Sequence, residues 1–338
     1  MGKAGGFAPT SGSPVTPVAG VFGVCAYATP VRVAGQIRAL DGSLPENRQR
    51  ADKPGVAPLT RTEYPPYAAF AGACRRGLQV VYPLRGASQP DGDGWKYAAG
   101  HPPSYAAFGR MRALLAVAQA RALRPGRVLE VAAGGGGLAS TLAADGVPVV
   151  ANDLLADALR AALAEYRGGE RVTVEGGSLF ELDPRRVGTF DLVIACEVIE
   201  HVARPADLLR RLAALLAPGG RLLVTTPNGL HFRNTLPTLR QAGDVAELER
   251  RQFKPDADGH LFLLTPDELA GLAEEAGLAV ERLDVWGLPP LSGHAGVRRL
   301  AGPAAVAPAY WLERAGQWLP PALRGRLCAA ISAVLTRR

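Results

Sequence analysis

Val128-Leu-Glu-Val-Ala-Ala-Gly-Gly-Gly-Gly137 is the stretch on which the fold turns. An apolar run of strand character carries one acid, Glu130, breaks into four glycines at 134–137, and continues into the helical pattern Leu138–Ala144. Glycines directly after a strand let the backbone approach a ligand with no Cβ in the way. In open α/β sheets, ligands sit beyond the carboxyl ends of the strands. A second stretch follows about sixty residues later, Phe190-Asp-Leu-Val-Ile-Ala-Cys-Glu-Val-Ile-Glu-His-Val202. It reads as an apolar strand that ends in two carboxylates and a histidine.

Outward from these segments the chain alternates. A helix is predicted over Pro103–Arg124, stopped by Pro125-Gly126. Strands follow at Val128–Val131, Val147–Ala151, Arg171–Glu175, Phe190–Ala195, Arg221–Thr225 and Leu278–Val285. Helices fall between them at Leu138–Ala144, Leu154–Tyr166, Pro205–Leu216 and from Thr265 to Gly277, with Thr265 as N-cap and Pro266 in the first turn. Ala329–Thr336 could supply a closing antiparallel strand. Such alternation predicts an α/β fold, a doubly wound, mostly parallel sheet with helices on both faces.

Composition bounds the rest. Apolar residues make up 48% of the 338 and charged residues 20%, which describes a globular chain. The net charge of +7 is carried by arginine, since the only lysines are Lys3, Lys53, Lys96 and Lys254. A basic surface attracts nucleic acid or anionic lipid, but an Arg- and Ala-rich composition of this kind is weak evidence of function. Cys25, Cys74, Cys196 and Cys328 form no CxxC pair, which argues against a zinc ribbon or disulfide framework and fits a reducing cytoplasm. No run is long and apolar enough to span a bilayer, and Val15–Gly35 makes a poor signal peptide. Residues 1–93 are Gly-, Pro- and Ala-rich without a period and are expected to be loosely ordered; 94–285 form the core, and 286–338 a C-terminal cover. In that tail Trp311, Leu312, Trp318, Leu319, Leu323 and Leu327 read first as packing and second as a membrane-surface face, so peripheral membrane contact stays open.

The glycine loop alone, Gly134-x-Gly136-x-x-Ala139, also fits a dinucleotide fingerprint. Three details point elsewhere: Glu130 in the first strand, Asp153 after the second, and the later segments Cys196-Glu-Val-Ile-Glu-His201, Leu216-Ala-Pro-Gly-Gly220 and Thr225-Thr-Pro-Asn228. Together these resemble class I S-adenosylmethionine-dependent methyltransferases over roughly residues 105–285. The resemblance implies a Rossmann-like sheet of seven strands and S-adenosyl-L-methionine as cofactor. It implies that Glu130 organises the loop and the methionine amino group, that Gly134 and Gly136 are the loop glycines, and that Asp153 accepts the ribose hydroxyls. Ala132 stands where the family usually has glycine, and Ser178 where it often has aspartate near the adenine. Leu154, Leu179 and Cys196 complete the candidate cofactor-binding set.

Methyl transfer from a sulfonium needs an aligned acceptor and often a base. Glu197, Glu200 and His201 have spacings of three and four, so one helical turn would put them on one face. His260 precedes the later helix. Glu-x-x-Glu-His followed by this histidine resembles the ubiquinone-type O-methyltransferases and the small-RNA 3′-end 2′-O-methyltransferases. There the resemblance implies a divalent ion, Mg²⁺, Mn²⁺ or Zn²⁺, held by Glu197, Glu200, His201 and His260. The metal-free alternative makes His201, His260 and Glu200 the catalytic groups. Thr226, Asn228, His231 and Phe232 are placed by position in the acceptor pocket, and His101, His231 and His294 read as lone loop histidines. The expected activity is O-methylation of a small-molecule hydroxyl on a quinone-like, polyketide, lipid or sugar acceptor. The alternatives are an RNA 2′-O-methyltransferase, disfavoured by the Arg-free stretch Gly243–Glu249 and by the lack of a recognisable RNA-binding module, and a non-catalytic cofactor-binding adaptor.

Overall fold

A computed structural model describes residues 59–69, 71, 103–251, 260–292 and 303–338. Most of the range 1–93 lies outside the described residues, as do His101 and His294. Seven strands form one sheet: β1 Val128–Val131, β2 Val149–Asp153, β3 Val172–Gly176, β4 Phe190–Cys196, β5 Leu216–Pro227, β6 Leu278–Trp286 and β7 Ala330–Arg337. Their order is β3-β2-β1-β4-β5-β7-β6, with β7 antiparallel to both neighbours and β1 to β5 paired in parallel. The closing antiparallel strand expected from Ala329–Thr336 is therefore present, shifted by one residue.

Helix α1, Pro103–Ala122, precedes β1. Then come α2 Gly137–Ala144, α3 Ala156–Leu163, α4 Pro184–Val187, α5 Pro205–Ala214, α6 Val245–Arg251 and α7 Pro266–Glu275. Between β6 and β7 lie α8 Pro289–Ser292, α9 Pro303–Gly316 and α10 Pro321–Leu327. Helix α5 shows why the alternation folds as it does: Leu208, Leu209 and Leu212 are fully buried while Arg210 faces out to Asp207 and Glu275. Helix α7 opens on the expected cap. The Thr265 hydroxyl accepts from the Glu268 N–H at 3.1 Å, and the Glu268 carboxylate accepts from the Thr265 N–H at 2.8 Å.

Because β1 lies between β2 and β4, the strand order reverses beside it, and a crevice opens at the carboxyl ends of β1 and β4. Both decisive sequence stretches end there. The strands beneath are apolar on both faces: Leu129, Val131, Val193 and Ala195 pack in one buried cluster, and Val128, Leu192 and Ile194 in the other. Strand β5 is longer than its sequence suggests, since Leu216 already pairs with Phe190 ahead of the Pro-Gly-Gly turn.

Residues 59–69 run beside the outer strand. The Thr60 N–H donates to the Leu283 carbonyl at 2.7 Å, and Thr60 also bridges to Asp284. The Tyr64 hydroxyl donates to the buried Glu313 carboxylate at 2.6 Å, and Arg324 donates to the Leu59 carbonyl at 3.1 Å. These contacts join the segment to α9 and α10. Helix α9 buries Tyr310 and Glu313, with Gln317 buried just past its end, and leaves Trp311 and Leu312 outside. Trp311, Leu312, Trp318 and Leu323 are 53%, 49%, 72% and 44% exposed, so the packing expected of these four is not what the tail does.

Candidate active site

The loop after β1 turns through three left-handed residues: Ala132 at φ 49°, Gly134 at 54° and Gly136 at 68°. Glycine suits that region and alanine is strained in it. At Gly136 a Cβ would also sit 2.5 Å from the Leu163 side chain, so α2 and α3 approach too closely there for a larger residue. Two acids tie the loop down. Glu130 Oε2 accepts the Ala139 N–H at 2.8 Å, inside the first turn of α2. Asp153 Oδ2 accepts the Gly134 N–H at 2.8 Å, and its Oδ1 accepts the Leu155 N–H at 2.9 Å. Each oxygen of Asp153 keeps a lone pair for a further donor. Burial pushes the Glu130 carboxyl up to about 8, the Ala139 hydrogen bond opposes this, and the Asp153 charge adds to it.

Around the loop, Asn152 was not legible as a site residue. Its amide donates to the carbonyls of Glu175 at 3.0 Å and Gly177 at 2.9 Å, which fixes the end of β3 beside β2. Ser178 starts the 3₁₀ turn Leu179–Glu181, and its hydroxyl accepts the Phe180 N–H at 3.3 Å. Leu154, just past β2, is exposed, and Leu179 packs partly buried against the core. Cys196 ends β4 half-buried, its thiol pushed up to about 12 by burial and then by the nearby Glu130 charge.

The two carboxylates after β4 part company. Glu197 has φ 57°, outside any helical turn, and only Ile199–His201 form a 3₁₀ turn. The single helical face expected for Glu197, Glu200 and His201 is therefore not formed, because the chain reverses its hand at Glu197. Arg112 of α1 pairs with Glu197 Oε2 at 2.9 Å, and the Thr225 hydroxyl donates to its Oε1 at 2.9 Å. Glu200 turns the other way and is fully buried; the Thr226 hydroxyl donates to its Oε2 at 2.9 Å. Its Oε1 is buried without a hydrogen-bond partner, 3.9 Å from His201 Nε2 and 3.8 Å from His260 Nε2. Burial, reinforced by the Glu197 charge, holds the Glu200 carboxyl well above the usual range.

His260 reaches this point through the backbone. The Leu261 N–H donates to the Glu200 carbonyl at 2.9 Å, so the segment before α7 is pinned to the turn after β4. The two imidazole rings lie 4.8 Å apart, edge to face. Glu200, His201 and His260 each offer a ligand atom within 4.8 Å of one another, and Glu197 is not in that group. The arrangement offers a proton acceptor backed by a buried carboxylate, or a three-ligand cation site.

Among the residues placed after β5 by position, Thr226 acts on Glu200 directly. Asn228 does not present its amide to an acceptor pocket. Its nitrogen donates to the Gly325 and Cys328 carbonyls, each at 2.7 Å, and its oxygen accepts the Leu230 N–H at 3.0 Å. His231 is buried with its ring 4.9 Å from the exposed Phe232. Arg112 had no signal in the sequence, because its partner lies across the fold.

Residues 105–283 match the family described as a methyltransferase domain. A ubiquinone biosynthesis O-methyltransferase of Ralstonia nicotianae is 34% identical over 168 residues, which span 49% of this chain and 68% of that protein. The protein of that name from a Caulobacter strain, K31, is 36% identical over 162 residues, 48% of this chain and 60% of its own length. The chain thus spans about two thirds or less of the length of these relatives. Among solved structures, the CcbJ methyltransferase from Streptomyces caelestis aligns at 19% identity and a TM-score of 0.41, over 66% of this chain and 88% of that one.

Proposed function

The chain belongs to the methyltransferase-domain family and is a class I S-adenosylmethionine-dependent methyltransferase, and from that premise we propose that it methylates a hydroxyl of a small organic acceptor. The carrying observation is Glu200 Oε1, buried without a hydrogen-bond partner and 3.9 and 3.8 Å from the Nε2 atoms of His201 and His260. A hydroxyl becomes a competent nucleophile as its proton leaves, and an imidazole is the side chain suited to take that proton near neutral pH. The buried Glu200 carboxyl beside it favours the imidazolium only in its ionised form, and a positive charge on the ring in turn favours that form. The relatives named for O-methylation in ubiquinone biosynthesis support an oxygen acceptor.

The residues around the crevice fit the cofactor. The glycine loop offers bare backbone, Asp153 has lone pairs left for ribose hydroxyls, and the exposed Leu154 offers an apolar surface to the adenine. When bound, S-adenosylmethionine supplies a methyl group on a positively charged sulfur. The chain's part is to hold the acceptor oxygen in line with that methyl carbon. A ring nitrogen of His201 or His260 would take the proton that the acceptor hydroxyl loses as its oxygen gains the methyl group. Glu200 stabilises the charged ring, and Thr226 holds Glu200.

A second reading rests on the spacing of the same three atoms. Metal bonds of about 2.1 Å at tetrahedral angles set ligand atoms about 3.4 Å apart, so the three ligand atoms, now within 4.8 Å of one another with Glu200 Oε1 at 3.8 and 3.9 Å from the two histidines, would have to draw together to seat a divalent ion. Such an ion would lower the pKa of the acceptor hydroxyl. Glu200, His201 and His260 would hold it, without Glu197.

The test is a thermal-shift titration with S-adenosylhomocysteine, repeated with Mg²⁺, Mn²⁺, Zn²⁺ or chelator, followed by labelled methyl transfer to a panel of phenols. Loss of transfer in His201→Asn or His260→Asn with the nucleoside shift intact supports the reading. A further shift with one ion, and activity abolished by chelator, selects the metal-assisted form. Full transfer in both histidine variants and in Glu200→Gln would overturn it.

A further inference from the structure

We propose that the face built from residues 61–64, α9, α10 and the loop after β5 docks on an anionic phospholipid surface. Of the eight large hydrophobic side chains exposed among the described residues, six are Leu230, Phe232, Trp311, Leu312, Trp318 and Leu323. They belong to neighbouring elements. The Phe232 N–H donates to the Arg326 carbonyl at 3.0 Å, and Leu230 lies over Gly325, so the post-β5 loop rests on α10, which itself carries Leu323. Trp318 and Trp311 sit just before α10 and on α9.

The exposed charges around these side chains are mostly positive. Residues 286–338 contain seven arginines and a single acid, Glu313, and Glu313 is fully buried. Arg61, Arg233, Arg314 and Arg326 are all exposed on this side. The exposed acid, Glu63, faces Arg282 at 3.7 Å. A cavity of about 530 Å³ opens on this face, its lining including Arg61, Glu63, Tyr64, Trp311, Arg314 and Trp318, with two arginines against one acid. The Arg61 guanidinium stacks 3.7 Å over the Trp318 ring, and that of Arg314 lies 5.4 Å from Trp311. Each cation is thus held against the flat face of an exposed tryptophan.

Tryptophan favours the boundary between hydrocarbon and water, and arginine the phosphates just outside it. Paired guanidiniums flanking a polar-floored cavity suit a phosphate group, and the leucines and Phe232 beside it suit acyl chains. A protein partner would find an apolar rim with no acidic counterpart, whereas an anionic bilayer answers both the charge and the apolar area at once. The loop that carries Leu230 and Phe232 follows β5 directly, so docking would bring the carboxyl end of that strand toward the lipid.

Co-sedimentation of the full chain with vesicles of phosphatidylcholine, alone or mixed with phosphatidylglycerol, tests this. The chain should pellet with the mixed vesicles and not with phosphatidylcholine alone, and brominated acyl chains should quench its tryptophan emission. Each basic residue near such a surface contributes about 1 kcal/mol, so Arg61→Glu with Arg314→Glu should lower partitioning by at least about tenfold. Trp311→Phe with Trp318→Phe should remove most of the quenching. Unchanged stabilisation by S-adenosylhomocysteine shows that the variants remain folded. No pelleting with the mixed vesicles would overturn the proposal, as would pelleting that ignores the arginine substitutions. A dimer in light scattering that is broken by the tryptophan substitutions would assign the face to a second copy instead. Binding of glycerol phosphate without vesicle association would reduce it to a soluble phosphate site.

Discussion

Glu130→Gln separates two effects of one buried carboxyl. Glu130 is 7% exposed at the end of β1, and its folded-state pKa of about 8 compares with an ordinary 4.5. The folded protein therefore keeps a proton that the unfolded chain has already lost between those two values. Where the folded state binds more protons, stability falls as pH rises. At 1.36 kcal/mol per pH unit, the drop across the window comes to about 5 kcal/mol, complete once the pH passes about 8. Asp153 and Cys196 are the titratable neighbours of this carboxyl, and a charge on Asp153 steepens the cost. Glutamine has no charge to bury, and its amide oxygen can still accept the Ala139 N–H.

Melting curves of the ligand-free protein from pH 5 to 9 would check this. Wild type should lose stability steadily from the acid end of the range up to about pH 8 and level off above it, and Glu130→Gln should flatten that fall and be the more stable protein at pH 9. A cationic methionine amino group next to Glu130 would reverse the balance. S-adenosylhomocysteine should then bind more tightly as pH rises toward 8, with proton release in calorimetry, and Glu130→Gln should lose that pH dependence. Identical melting profiles for the two proteins would refute the reasoning, since the burial cost would then be absent or carried by another group.

Other outcomes follow from the same geometry. Asp153→Ala removes an acceptor for two backbone N–H groups and the proposed acceptor for the ribose; losing one charged hydrogen bond of about 1.5–3 kcal/mol should weaken S-adenosylhomocysteine binding at least about tenfold, measured by calorimetry. Ala132→Gly relieves left-handed strain of about 1–2 kcal/mol, offset by about 0.4–1 kcal/mol of unfolded-state entropy, so denaturant titration should show a gain of up to about 1.6 kcal/mol. Thr226→Val leaves Glu200 Oε2 buried without its donor; stability should fall by about 1–3 kcal/mol, and the pH–rate profile of methyl transfer should shift even when the protein is fully folded in the assay.

What the sequence carries is local. Glycines at 134–137, the acids at Glu130 and Asp153, and the apolar strands between them are short-range signals, and the crevice they predict lies where the strand order reverses. The Thr265-Pro-Asp-Glu cap and the closing strand near 330 are legible for the same reason. Strand and helix limits drift by a few residues because pairing across the sheet, not propensity, ends them, as Leu216 opposite Phe190 illustrates. The contacts of residues 59–69 with β6 and α9 join positions more than two hundred residues apart, and no period in the N-terminal segment announces them.

The reaction centre shows the limit most sharply. Glu197 and Glu200 are the same residue type three apart, and a spacing rule treats them alike. Their fates are decided by a backbone sign at Glu197 and by which of two adjacent threonines each one meets. Thr225 and Thr226 point to opposite faces of β5, as successive strand residues must, and so they draw the two carboxylates apart. One carboxylate is neutralised by Arg112 from α1. The other is left with an unpartnered oxygen between two histidines. The consequence can be measured: Glu197→Gln should alter stability through the Arg112 pair and, by removing a neighbouring charge, only move the Glu200 limb of the pH–rate profile to lower pH, whereas Glu200→Gln should remove that limb altogether. Equal effects of the two substitutions on that profile would mean that the carboxylates act as one unit, and the division of roles drawn from Thr225 and Thr226 would fail.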